Sequence, residues 1–213
     1  MSVAVPTVPK SPVAPKANRP RLTEDRILAV ALDSFSRRGF DATSLDALAA
    51  ELGVTKQAIL YHYASKKVLL EAVIDRACFD LIIEFDGALS SAGSGWERIE
   101  RLVRTMFRVG VRRPELMGLV REVSRLGGDA AARLSVDLQP FVERATSYFQ
   151  REMDAGTIRQ CDPSMLLMLS YSAVIGIATD MEVLRIVGME PTLRSAAIRR
   201  RELLSFLKAA MSA

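Results

Sequence analysis

Apolar positions recur at helical spacing through most of this chain. Ile27, Leu28, Ala31, Leu32 and Phe35 share one face of a segment that Thr23 can cap, with Glu24 and Asp25 in its first turn and Gly39 as its stop. Thr43 is placed to cap a short second helix, with Asp46 in the reciprocal position three residues on and Leu45, Leu48, Ala49 and Leu52 as its inner stripe. Gly53 breaks that helix. Val54 and the capping residue Thr55 open a third through about Tyr61, and Ser65 opens a fourth that runs from Lys66 beyond Phe79.

Beyond a flexible connection from Ser90 to Gly95, Trp96, Ile99, Leu102, Val103, Met106 and Phe107 trace the stripe of another helix, ended by Pro114, which starts the next. Met117, Val120 and Leu126 carry that one to Gly127 and Gly128. A longer helix spans Ala131 to Met153, with a kink expected at Pro140, and two last helices cover about Pro163 to Val187 and Pro191 to Met211. With no convincing strand and no internal repeat, the expected fold is all-α: an arm at 1–21, a small helical head at 22–68 and a larger helical bundle at 69–213.

Composition narrows the function. The 213 residues, 49% apolar with only 12 Gly and 9 Pro, suit long helices and can bury a core without disulfides or metal. Cys78 and Cys161 match no disulfide or metal spacing, and His62 is the only histidine, so a multi-histidine metal site and a Ser-His-Asp triad elsewhere in the chain are excluded. No acid-base pair, nucleophile constellation or phosphate loop is evident, so neither an enzyme nor a cofactor is expected. The arm carries Pro6, Pro9, Pro12, Pro15 and Pro20 among Lys10, Lys16, Arg19 and Arg21, and reads as disordered, basic and extended rather than as a signal peptide. The longest uncharged run, Pro163 to Thr179, falls short of the about 20 residues that span a bilayer, so a cytoplasmic protein is expected.

The net charge of +4 is placed unevenly. Through Leu70 ten Lys and Arg face six Asp and Glu, and beyond it nineteen of each sign cancel. A basic N-terminal third suits salt-dependent contact with DNA.

The run from Ser44 to Tyr63 gives that charge a purpose. Ala49 is small where two helices would cross, Gly53 supplies a positive backbone angle for a tight turn, and Leu48, Val54 and Ile59 fill the wedge between helices. The outer face of the third helix is then left to Lys56, Gln57 and Tyr61, which can enter a major groove, while Thr43, Ser44, Thr55, His62, Tyr63, Lys66 and Lys67 are placed to reach phosphates, Tyr63 partly as core. From Ile27 to about Leu70 the pattern, including Tyr61-His62-Tyr63 followed by Ser65-Lys66, resembles the DNA-binding domain of the TetR family of bacterial regulators. The resemblance implies nine helices, a homodimer formed mainly by the last two, and a ligand cavity inside the C-terminal bundle. Three positions depart from the family's pattern: Gln57 where a small residue is common, Leu60 where a Tyr usually touches the DNA backbone, and Lys67 where an acidic residue is common.

Within the bundle, thioethers and aromatic rings suit an adaptable apolar cavity, with Met106, Phe107, Phe141, Tyr148, Met168 and Tyr171 as candidate lining. Small residues on the eighth helix and an apolar seam on the last suggest a two-fold four-helix contact through Met165, Leu169, Ser172, Gly176, Leu203 and Leu207, with intramolecular packing as the competing account. Arg98, Arg101, Arg104 and Arg108 read as a solvated face, with room for one of them to turn inward, and Arg199, Arg200 and Arg201 as surface charge. The expected function is a dimeric repressor of a near-palindromic DNA operator, released by a hydrophobic or amphipathic small molecule. An activator or a ligand-independent regulator is the alternative, and a helical enzyme or carrier a remote one.

Overall fold

The structure, a computed structural model, describes residues 23–90, 95–190 and 192–212. The expected arm and most of the Ser90–Gly95 connection lie outside the described residues. Those described form ten α-helices and no strand: α1 (Glu24–Arg38), α2 (Leu45–Leu52), α3 (Lys56–His62), α4 (Lys66–Leu89), α5 (Trp96–Arg112), α6 (Pro114–Leu126), α7 (Gly128–Asp154), α8 (Pro163–Thr179), α9 (Met181–Ile186) and α10 (Leu193–Met211). The all-α class is as the periodicity predicts. The tenth helix arises because the segment expected to run from Pro163 to Val187 is divided at Asp180, whose backbone leaves the helical region at ψ 80° and whose carboxylate caps α9 by accepting from the Val183 N–H at 3.1 Å. Helix α10 starts at Leu193 on a Thr192–Ser195 capping box; the expected start, Pro191, lies outside the described residues.

Thr23, Thr55 and Ser65 cap α1, α3 and α4 as expected, but α2 is capped by Ser44, whose hydroxyl accepts from the Ala47 N–H at 3.1 Å. Thr43 instead points inward, 1% exposed, and its hydroxyl donates to the Gly39 carbonyl at 2.8 Å. The reason lies in α1, whose last carbonyls need donors once its helical bonds run out, and a buried hydroxyl is tolerated only when so bonded.

The head has no core of its own. Ile27, Ala31 and Phe35 of α1, Leu48 of α2 and Ile59 of α3 are buried in one cluster with Leu69, Val73 and Ile74 of α4 and with Leu116, Leu119 and Val123 of α6. A second cluster joins α5, α7, α8 and α10 around Ile99, Phe149, Met153, Val174, Leu203 and Met211. Helix α6 therefore bridges head and bundle, and it approaches α1 closely because position 118 is glycine: a Cβ there would stand 2.8 Å from the Cβ of Ser36 and 3.1 Å from its carbonyl oxygen.

The same helix holds the α1–α2 turn through a carboxylate. Glu122, 9% exposed, accepts from the Phe40 N–H at 2.6 Å and from Arg125 at 2.8 Å on each of its oxygens, and Arg125 also reaches Asp41 at 3.0 Å. Arg125 first, then the Phe40 amide, hold the carboxyl below its ordinary pKa against the opposing effect of burial.

Two outcomes are expected. Gly118→Ala will lower stability despite alanine's better helix propensity, by about 1–2 kcal/mol in urea unfolding, because the clash is with backbone and Cβ atoms that have nowhere to turn. Glu122→Gln keeps an acceptor for Phe40 but loses the charge. Since the folded-state pKa is depressed, the charge contributes fully above the unfolded value near 4.5 and is lost as pH falls through the lower folded value. The wild type should then be the more stable at about pH 7 and its lead should shrink as pH falls below the ordinary carboxylate range; a lead independent of pH would show the charge to be idle.

Candidate functional site

Helices α2 and α3 meet in a turn fixed by Gly53. Its φ of +69° is left-handed, its N–H donates to the Ala50 carbonyl at 3.2 Å, and the following Val54 N–H donates to Ala49 at 2.9 Å, the two bonds of a Schellman motif. Ala49 and Leu48 are buried on α2, and Ile59 anchors α3 with no exposed surface. That anchoring turns Thr55, Lys56, Gln57 and Tyr61 to solvent, with Tyr61 87% exposed. Ser44 and Lys67 are exposed at the flanking helix starts. The cations are loosely held: Lys56 meets Asp46 at 3.0 Å and Lys67 meets Asp129 at 2.7 Å, and phosphate can replace a carboxylate in such surface pairs. Asp129 raises the pKa of Lys67, so the ammonium stays charged.

Three of the sequence-predicted phosphate contacts are corrected. Thr43 is buried on the end of α1. Tyr63 is 9% exposed and part of the core, its pKa raised by burial and by Glu24 and Asp25. Lys66 is spent on the fold: its ammonium donates to the carbonyls of Phe40 at 2.8 Å and Thr43 at 2.9 Å and lies 4.2 Å from the centre of the Phe40 ring. His62 stands between the two groups, partly exposed, with Nδ1 3.6 Å from Glu24 and its ring edge-on to Tyr61.

Inside the bundle a cavity of about 450 Å³ opens between five helices. Met106, Phe141, Met168 and Tyr171 line it. Phe107 and Tyr148 do not: Phe107 faces the second core beneath Arg199, and Tyr148 is buried there with its hydroxyl donating to the Gly95 carbonyl at 2.9 Å. Residues outside the expected lining complete the wall. Leu81, Ile82 and Phe85 come from α4, with Phe85 tilted against Phe141 at 5.3 Å, and Met117, Val120 and Ser124 come from α6. Their apolar spacing was visible, but only the fold turns it toward a void. Glu122 was also passed over, although its place three residues after Leu119 and four before Leu126 puts it on the inner side of α6.

On α8, Met165, Leu169, Ser172 and Gly176 share an exposed face, and nothing lies within 4 Å of where a Cβ on Gly176 would stand. Leu203 and Leu207 are corrected: both are buried in the second core, and the large exposed apolar side chains of α10 are Leu193, Ile198 and Phe206. Arg199 is also no surface charge. It is 5% exposed, its guanidinium donates to the Ile177 carbonyl near the end of α8, and burial lowers its pKa.

Among the described residues, no three His, Cys, Asp or Glu side chains gather as a metal ion would require, and no helix is long and apolar enough to cross a membrane. Cys78 is buried, its thiol pushed up to about 12 by desolvation and by Asp137 and Asp75.

Residues 27–73 match the family described as bacterial regulatory proteins, tetR family. The chain is 36% identical over 59 residues to IcaR of Staphylococcus aureus (strain Newman), the negative transcriptional regulator of the biofilm operon icaADBC; the match spans 28% of this chain and 31% of that regulator. It is 26% identical over 148 residues to the transcriptional regulator RutR of Escherichia coli (strain K12), 69% of each chain. Its fold is similar to that of AibR in complex with isovaleryl coenzyme A and operator DNA, at a TM-score of 0.73 and 20% identity, over 86% of this chain and 97% of that one. It is therefore the N-terminal helix-turn-helix segment, residues 27–73, that matches the tetR family of bacterial regulatory proteins.

Proposed function

We propose that the protein is a transcriptional repressor that binds a near-palindromic operator as a homodimer and is released when a small apolar molecule fills the cavity between α4 and α8. The observation that carries this reading is the outer face of α3, where Gln57, an almost fully exposed Tyr61 and Lys56, held only by its surface pair with Asp46, face solvent while Ile59 fixes the helix from behind. An aromatic ring left in water on the same helix as a cation and an amide adds little to the core, and it suits contact with base edges and backbone. Ser44, Thr55 and Lys67 would meet phosphates, with His62 at the edge of the contact. IcaR is named a negative regulator, and AibR holds both operator DNA and an acyl coenzyme A, which favours repression and ligand response here.

Two recognition helices in successive major grooves must sit about 34–36 Å apart. Two rods tie that separation to the cavity. Helix α4, about 36 Å long, packs Leu69, Leu70 and Val73 under the head and presents Leu81, Ile82 and Phe85 to the cavity. Helix α6 presents Met117 and Val120 to the cavity and grips the head through Gly118 and Glu122. A ligand that fits the cavity better in one head separation than another shifts the population, and operator affinity falls by the same coupling. The exposed face of α8 through Leu169 and Gly176, with Phe206 of α10, would form the two-fold contact.

Fluorescence anisotropy with DNA from upstream of the protein's own gene, against scrambled competitor, tests the reading. Lys56→Ala and Tyr61→Ala should each weaken selective binding about tenfold, and Lys67→Ala should lower the salt slope by about one without changing sequence preference. Binding that ignores both sequence and substitutions, together with an empty genome-wide selection, would make the motif structural. For assembly, Gly176→Glu leaves the monomer room for its side chain, so in sedimentation a wild-type dimer should fall to the 23.4 kDa protomer while helicity is retained. A wild type already monomeric at micromolar concentration would end the dimer proposal.

A further inference from the structure

The cavity wall has one chemical singularity. Among the described residues its lining includes no Lys, Arg, His, Asp or Glu, and its polar side chains are Ser124, Ser164 and Tyr171. Both serines are exposed, and the Ser124 hydroxyl already donates to the Val120 carbonyl at 2.8 Å. Tyr171 is half-buried and lines the cavity together with Met117, Val120 and Met168, and its hydroxyl has no hydrogen-bond partner among the described residues. Desolvation raises its pKa, more than Arg121 nearby lowers it, so at neutral pH the group is a protonated donor without an acceptor among the described residues. Arg121 itself is turned away, reaching Thr179 at 3.4 Å and lining the groove beside Gly39 and Asp41.

We infer that the ligand of this cavity is an uncharged hydrophobe carrying a hydrogen-bond acceptor oxygen, such as an ester, thioester or ketone carbonyl, and that Tyr171 is the residue that selects it by donating to that oxygen. This rests on the cavity being the effector site proposed above. An ion brought into such a wall loses its water and meets no opposite charge, which costs far more than one neutral hydrogen bond returns. A pure hydrocarbon fits the wall but offers the phenol no acceptor. A neutral carbonyl on an apolar chain meets both conditions, and a volume of about 450 Å³ is of the size that holds drug-sized ligands. Thioester, ester and ketone share this chemistry, and the part of the molecule beyond the carbonyl is free to lie outside the cavity mouth.

Isothermal titration of the full-length protein with four probes, methyl decanoate, decanoate, decyltrimethylammonium and decylbenzene, tests the inference. Methyl decanoate should bind at least about tenfold more tightly than either ion. Tyr171→Phe should weaken methyl decanoate about three- to tenfold and leave decylbenzene unchanged, and Val120→Trp, which fills the cavity, should abolish both. If decanoate binds as well as its ester and Arg121→Gln removes that advantage, an acidic ligand replaces the neutral one while the cavity stands as the site. Equal losses of ester and hydrocarbon in Tyr171→Phe would also overturn the role given to Tyr171. Probes that bind undiminished to Val120→Trp, or no binding by any probe, would overturn the cavity reading itself and this inference with it.

Discussion

Burying a carboxylate against a backbone amide is favourable only when its remaining lone pairs are used as well. Glu122 meets that condition on one stretch of chain, with Phe40 N–H on one oxygen and Arg125 spanning both, while Arg125 holds Asp41 from the other side. The α1–α2 turn therefore follows α6 wherever α6 goes. Gly118 adds contact without slack, since α1 and α6 touch through Ser36 with no side chain between them. Much of the remaining architecture inherits this constraint, because the head shares its core with α4 and α6 and has no separate interior on which to pivot freely.

The recognition surface depends on the same economy of parts. Lys66, which resembles a phosphate contact in sequence, is used to close the α1–α2 turn by bonding two carbonyls more than twenty residues earlier and covering the Phe40 ring. Thr43 closes the end of α1 in the same region. What stays outside is a smaller set than the motif suggests, centred on Lys56, Gln57 and Tyr61. A turn held by buried donors presents these side chains on a rigid support, which is what reading base edges demands.

How much was legible depended on whether the deciding contact was local. The caps of α1, α3 and α4, the stops at Gly39 and Gly53 and the helix-turn-helix could be read because caps and periodicity act within a few residues. Thr43 and Ser44 are both good caps, and only the distant need of α1 for a donor broke the tie. Met106 and Phe107 are alike in composition, yet a helical residue and its successor point about 100° apart, so one meets the cavity and the other the second core. Leu203 and Leu207 form the seam their spacing promised, and intramolecular packing won it. Arg199 was illegible for a similar reason: an inward arginine on a helix with Arg200 and Arg201 is set by the Ile177 carbonyl on another helix.

Helix α6 keeps two kinds of information apart. Met117, Val120 and Ser124 face the cavity, while Gly118, Glu122 and Arg125 face the head. Under the proposed function, substitutions on the first side alter what is sensed and leave intact how the signal is delivered. A lineage carrying this scaffold can thus exchange one effector for another by changing a few cavity side chains, without having to rediscover the linkage to DNA each time.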